Sequence, residues 1–262
     1  MQPLPKTIFK YEPFSLRALQ NLKRQSVYFG SPKGFNDPYD SALHASVREL
    51  VDSEVPELLE LVEKDKDSPL GLVGHLKSLP ATEAVKQLEA GIREHVDNYR
   101  DEFLAKRGVT CFSECNDNLL MWSHYGGHHK GFCLEFRTSH EPFNKLRRVG
   151  YAETIPKIDP FGFLSGSGHE QILNLLCTKS SDWSYEKEWR ALHGEAGTVY
   201  TYDEKALKAV YFGTEIDVQD RDMICLILSE QNQNVRFYCG FRSETDFNVS
   251  FQRFEYLSLI HI

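Results

Sequence analysis

The segment Trp183-Ser184-Tyr185-Glu186-Lys187-Glu188-Trp189-Arg190 restricts the fold more than any other stretch of the chain. It puts three large aromatics, two carboxylates and two cations into eight residues, and holds two of the three tryptophans. A surface run rarely carries so much apolar bulk, and a core run rarely carries so many charges. The lip of a cleft accepts both, with rings as walls and ionised groups held by partners that keep them charged. Read as a strand, alternation puts Glu186, Glu188 and Arg190 on one face and Tyr185, Lys187 and Trp189 on the other. Arg190 then neutralises one carboxylate and leaves the second for chemistry. Read as a helix, Glu186 and Arg190 form an ordinary i,i+4 pair worth about 0.3 kcal/mol, with Tyr185 above Trp189.

The rest of the chain alternates short strands with helices. Ile8 to Tyr11 and Val27 to Phe29 read as strands around a helix capped by Ser15, with Leu16, Leu19 and Leu22 at helical spacing. From Gly30 to Asp40 runs a turn-rich loop in which Asn36 and Asp37 can bond their own backbone. Between 46 and 107 the pattern turns helical. Val51, Val55, Leu58, Leu59 and Val62 mark one amphipathic helix, and Val85, Leu88, Ile92, Val96, Tyr99 and Phe103 a longer one. Pro56, Pro69-Leu70-Gly71 and Pro80 punctuate it. Strands follow at Val109 to Ser113, Gly131 to Phe136 and Val149 to Ala152, with a helix from Asn116 to Gly126, capped by Asn116, Asp117 or Asn118, between the first two. Gly162 to Gly168 reads as a flexible loop before a helix from His169 to Lys179. Beyond the aromatic segment come strands at Thr198 to Tyr202 and Ala209 to Gly213, and a helix at Val218 to Ser229. Extended segments at Val235 to Tyr238 and Asn248 to Tyr256 close the chain. With no regular βαβ period this is an α+β architecture. The reading is one domain over 1–262, with 46–107 as a helical insertion.

A chain of 262 residues can bury a substantial core, and 41% hydrophobic with 26% charged residues is ordinary for a globular protein. The net charge of −8 argues against gripping nucleic acid through the overall field. Lys145, Arg147 and Arg148 form the best local basic patch. No stretch reaches the roughly 20 apolar residues of a membrane span, and Met1 to Lys10 lacks the apolar core of a signal peptide. The six cysteines are scattered without a Cys-x-x-Cys, which points to a reducing cytoplasm.

Several chemistries can be weighed. Cys111 and Cys115 before His124, His128 and His129 approach zinc spacing, but Cys111 lies within a strand and the gap is shorter than in classical fingers. No metal is expected. There is no Gly-x-Ser-x-Gly, P-loop or Gly-x-Gly-x-x-Gly, which disfavours hydrolase-elbow, NTPase and Rossmann readings. In Met121-Trp122-Ser123-His124-Tyr125-Gly126, the aromatics either form a helix's core face or line a pocket facing Glu188. His124 would then serve as acid, base or donor.

Several motifs taken together resemble one family. They are Phe9-Lys10-Tyr11, Tyr28-Phe29-x-Ser31-Pro32-x-x-Phe35-Asn36-Asp37-Pro38-x-Asp40, Cys111-Phe112-Ser113-Glu114 and Asn118-Leu119-Leu120-Met121-Trp122-Ser123-His124-Tyr125. Further on come His129-Lys130-Gly131-Phe132-Cys133, Trp183-x-Tyr185-Glu186-x-Glu188-Trp189-Arg190 and Val210-Tyr211-Phe212-Gly213. In that order, from about Ile8 to Gly213, they look like the bacterial family known as domain of unknown function 2971. The name supplies no activity.

More distantly, the strand Gly108-Val109-Thr110-Cys111-Phe112-Ser113, the aromatic helix after it and the later Glu-x-Glu are similar to the ADP-ribosyltransferase superfamily. That resemblance implies split antiparallel sheets and cleavage of the N-glycosidic bond of NAD, as substrate, or of a related nucleotide. It implies Glu188, Glu186 and Tyr11 as catalytic residues. Lys10, Ser113, Trp122, His124, Tyr125, Arg190, Asn36 and Asp37 would bind the nucleotide. Lys10-Tyr11 stands where the superfamily has His or Arg. An unknown macromolecular acceptor, and a toxin or phage-defence role, follow by analogy of fold alone. The alternatives are a non-catalytic nucleotide- or peptide-binding module, and a metal-dependent hydrolase using His124, His128 or His129 with Asp37.

Overall fold

The computed structural model of the chain describes residues 3–42, 45–64 and 71–256. In chain order the strands are β1 (Thr7–Glu12), β2 (Ser26–Phe29), β3 (Gly108–Ser113), β4 (Phe132–Arg137), β5 (Arg147–Arg148), β6 (Gly150–Ala152), β7 (Thr178–Ser180), β8 (Glu188–His193), β9 (Thr198–Thr201), β10 (Leu207–Phe212), β11 (Arg236–Arg242) and β12 (Val249–Phe254). The helices are α1 (Leu16–Lys23), α2 (Val55–Lys64), α3 (Leu72–Ser78), α4 (Ala81–Lys106), α5 (Leu119–His124), the single turn α6 (Pro160–Gly162), α7 (Gly168–Leu176) and α8 (Val218–Gln231). The class is α+β. Two compact units emerge, one of Met1–Ser31, Arg107–Val149 and Asp182–Ile262, the other of Pro32–Lys106 and Gly150–Ser181. The second unit thus extends beyond the 46–107 segment. Among the described residues, no helix is long and apolar enough to cross a membrane.

The first unit is built on an eight-stranded mixed sheet in the order β12-β11-β10-β4-β1-β3-β8-β5. Its pairs are antiparallel except β10 with β11. Because side chains alternate, the register sorts the residues into two faces. Ile8, Phe112, Phe132, Leu134, Phe136, Val210, Phe212 and Phe237 form the main core with Ala18 and Leu22 of α1 and Ile224, Cys225 and Leu228 of α8. The Ser15 hydroxyl accepts the Ala18 N–H and starts α1 as its position suggested. A two-stranded ribbon of β2 and β9 joins this core, tied to β3 by a bridge between Gly30 and Val109.

The opposite face carries Phe9 and Tyr11 of β1, Cys133 of β4 and Tyr211 of β10, packed beneath Met121 and Trp122 of α5. Of the three candidate caps, Asn118 is the one that caps α5, accepting the N–H groups of Leu120 and Met121, so the helix begins at Leu119 and ends at His124.

In the second unit α3 packs on α4 and on α2. The buried stripe Leu88, Ile92, Val96 and Phe103 matches the periodicity of the long helix. Pro69 and Leu70 lie outside the described residues. The expected flexible loop from Gly162 to Gly168 is instead helical, running from α6 through a wide turn at Phe163–Ser167 into α7. Asp159 is the reason: its carboxylate accepts the Gly162 N–H, while Gln171 bonds both the N–H and the carbonyl of Asp159. The helix from His169 ends at Leu176, since Thr178–Ser180 pairs in parallel with Gly150–Ala152 as β7 and β6. This places Lys179 in the interior, 3.2 Å from the buried Asp40.

Candidate functional site

Register neighbours on the α5 side of the large sheet form two polar rows. One runs Glu135, Phe9, Ser113, Glu188 from β4 through β1 and β3 to β8. The next holds Cys133 opposite Tyr11, and Cys111 opposite Arg190. Glu188 and Arg190, two apart on β8, share this face. The side chains are 5% and 0% exposed, and Arg190 donates from Nε at 2.7 Å and Nη2 at 2.9 Å to the two carboxylate oxygens. This is a bidentate, charge-assisted pair that fixes both groups. Burial, and next the Glu188 carboxylate, push the Cys111 thiol well above its usual range, so it stays protonated.

Glu186 lies differently from the strand reading. Ser181–Glu186 is a 3-10 segment, Lys187 turns through φ 45°, and β8 starts only at Glu188. Glu186 therefore does not continue the strand face of Glu188 and Arg190. It is 2% exposed, and its Oε1 accepts the Tyr125 hydroxyl at 2.6 Å. The Ser113 hydroxyl holds the turn together by donating to the Glu186 carbonyl at 2.6 Å and accepting the Cys115 N–H at 3.1 Å. Ser113, expected to bind nucleotide, is 1% exposed and shapes this corner from within.

The aromatics of the two motifs meet here. His124 at the end of α5 lies 6.0 Å from the Trp183 ring and 6.5 Å from Tyr185, with Tyr125 6.2 Å away; Trp183 and Tyr185 are 6.0 Å apart. His124 is exposed, and Tyr125, Trp183 and Tyr185 are half-buried. Trp183 and Tyr185 of this segment thus gather with His124 and Tyr125, and Tyr125 bonds Glu186. Trp189 turns the other way, is buried, and donates its indole N–H to Glu114 at 2.7 Å.

Other expected site residues are placed elsewhere. Tyr11 is 7% exposed, its hydroxyl donates to the Cys115 carbonyl at 2.9 Å, and its ring edge packs on Trp122 at 5.1 Å. Burial drives its phenol far above the ordinary range, so it stays a neutral phenol near neutral pH. Trp122 is fully buried, donates to the Asn116 carbonyl at 2.7 Å, and packs against His129 and Phe251. Neither ring presents a face for stacking. Lys10 alternates with Phe9 and Tyr11 and so lies on the other face of the sheet from Arg190. There it sits over the Phe112 ring at 5.6 Å and 3.5 Å from Glu12, so the two cations do not converge on one phosphate. Asn36 and Asp37 belong to the second unit, where Asp37 accepts the Tyr39 N–H at 2.8 Å and shapes its own loop. Among the described residues, no three His, Cys, Asp or Glu side chains gather to hold a metal ion.

One buried carboxylate escaped the sequence reading. Glu135 is 3% exposed and takes bonds from Lys208 at 2.6 Å and the Tyr211 hydroxyl at 3.0 Å. Its signal is a lone acid inside the apolar run Phe132–Phe136, and the register sets it in the same row as Glu188. No family model, curated protein or solved structure matches the chain.

Proposed function

We propose that the chain is an ADP-ribosyltransferase-like enzyme of the domain of unknown function 2971 type, cleaving the N-glycosidic bond of NAD or a related nucleotide. The observation that carries this reading is the Glu186 carboxylate, bonded by Tyr125 at 2.6 Å within the His124, Trp183 and Tyr185 cluster. In the reaction the C1′–N bond breaks, its electron pair leaves with neutral nicotinamide, and the ribose becomes cationic. A fixed carboxylate opposite that charge lowers the barrier. Water or an acceptor hydroxyl then bonds to C1′ and gives its proton to the carboxylate. Glu186 takes that role and Tyr125 fixes its orientation. Glu188, clamped by Arg190 in a pair with no net charge, holds the start of β8. The aromatic cluster supplies the surface for the departing ring.

Incubating the protein with NAD and following free nicotinamide by chromatography tests the reading. Release above the uncatalysed rate is expected, and a protein that binds NAD but releases none removes the enzymatic assignment. The bidentate lock between Glu188 and Arg190 favours that second outcome's reading, a nucleotide-binding module without turnover.

A further inference from the structure

On the first unit, the loop Gly126–Gly131 makes an unusual left-handed turn, with φ of 58° at Gly127, 55° at His128 and 67° at His129. Each histidine there costs on the order of 1 kcal/mol, and such strain persists only where the surroundings enforce it. They do: the His129 carbonyl accepts the Glu215 N–H at 3.0 Å, and Gly213 presses so close that a Cβ would lie 2.0 Å from that carbonyl. The turn lays the His129 ring over Trp122 at 6.5 Å and 20°. Its Nδ1 is buried without a hydrogen bond to any described residue. Burial lowers the affinity of this imidazole for a proton, which favours the neutral ring.

His129 lines a cavity of about 370 Å³ together with Leu119, Val249, Thr214, Glu215, Arg242, Asp246, Phe247 and Asn248. The volume lies in the range of small-molecule sites. Phe247 is 97% exposed. A phenyl ring that gains nothing from the fold, at the border of a cavity that an imidazole ring also lines, is suited to a planar ligand. The Asn248 carboxamide offers a donor and an acceptor side by side, the pattern that matches an adenine edge. Two carboxylates, Glu215 and Asp246, border the cavity against one guanidinium, and Glu215 already holds that Arg242 at 2.6 Å. This balance suits ribose hydroxyls and disfavours a phosphate.

We infer that this cavity is a binding site for a neutral purine nucleoside, with the base on Phe247, His129 and Asn248 and the sugar toward the carboxylates. It shares no residue with the Glu186 cluster and does not rest on the activity proposed there. Titration calorimetry of the full chain with adenosine tests it, with adenosine monophosphate as the comparison. Saturable adenosine binding is expected, weakened at least about fivefold by Phe247→Ala, since stacking one base on an aromatic ring is worth that much or more. The exposed position leaves the fold of that variant intact, checked by an unchanged melting temperature. No saturable heat at millimolar adenosine, equal affinity in the Phe247→Ala variant, or tighter binding of the monophosphate would overturn the inference.

Discussion

Replacing Glu188 with Gln is expected to destabilise the first unit strongly, because it removes one member of a buried ion pair. The pair is made by side chains 5% and 0% exposed, with donor–acceptor distances of 2.7 and 2.9 Å. Charge-assisted bonds of this kind contribute roughly 1.5–3 kcal/mol each, and removing one partner of a buried pair costs about 3–5 kcal/mol. An exposed pair would cost under about 1 kcal/mol. Burial decides between the two regimes, so the expected loss is about 4 kcal/mol, or a fall in Tm of roughly 10 °C for a chain of this size. Urea unfolding followed by tryptophan fluorescence reads the first unit, since Trp122, Trp183 and Trp189 all lie there. Replacing both members by Met should recover most of the loss, because well-packed apolar groups substitute for buried pairs nearly neutrally. A single variant within 1 kcal/mol of wild type would refute the reasoning about burial. The same argument makes Glu188→Gln a poor probe of chemistry, since lost activity would be confounded with lost stability.

Gly213→Ala should cost about 3 kcal/mol, since its Cβ would meet the His129 carbonyl at 2.0 Å and backbone rather than a side chain must yield; chemical denaturation checks it. Asp40→Asn should likewise cost about 3 kcal/mol by weakening the buried pair with Lys179 in the second unit, read as a lower thermal midpoint. For His129, burial lowers the pKa below 6.5, helped by Arg242 and His128 and opposed by Glu215. The unfolded chain then binds the extra proton first, so this stability is present above pH 6.5 and lost as pH falls toward the lower folded value. His129→Asn, which tolerates the left-handed backbone, should flatten the fall of the urea midpoint between about pH 7 and pH 5; an unchanged slope contradicts it.

Much of the fold was legible wherever local chemistry decides the outcome. Ser15 caps α1, the long stripe from Leu88 to Phe103 buries one helix face, and the strands around Val109–Ser113 and Phe132–Phe136 lie where their apolar runs put them. That the rings of Trp183 and Tyr185 would be half-buried among charged groups was legible too, because rings and charges so close together have few places to go. What escaped depends on partners distant in sequence. Nothing local says that Lys187 adopts φ 45° and takes Glu186 out of the strand, or that Tyr125, 61 residues earlier, bonds it. Lys10 and Tyr11 illustrate the same limit. Alternation guarantees that they point to opposite faces, but only the register with β3 and β4 shows that Tyr11 shares its face with Arg190. Trp122 and Ser113 look like site residues in a motif and act instead as core and corner. Glu135 was passed over because a single acid in an apolar strand carries no pattern of its own.

The most direct test is the kinetics of nicotinamide release from NAD by wild type and by Glu186→Gln, a change that keeps an oxygen for Tyr125 to bond while removing the charge. If the carboxylate steadies the cationic sugar, kcat falls by about two to three orders of magnitude while KM stays within a few-fold, the pattern of a contact made in the transition state. A variant that turns over NAD at the wild-type rate would contradict the account.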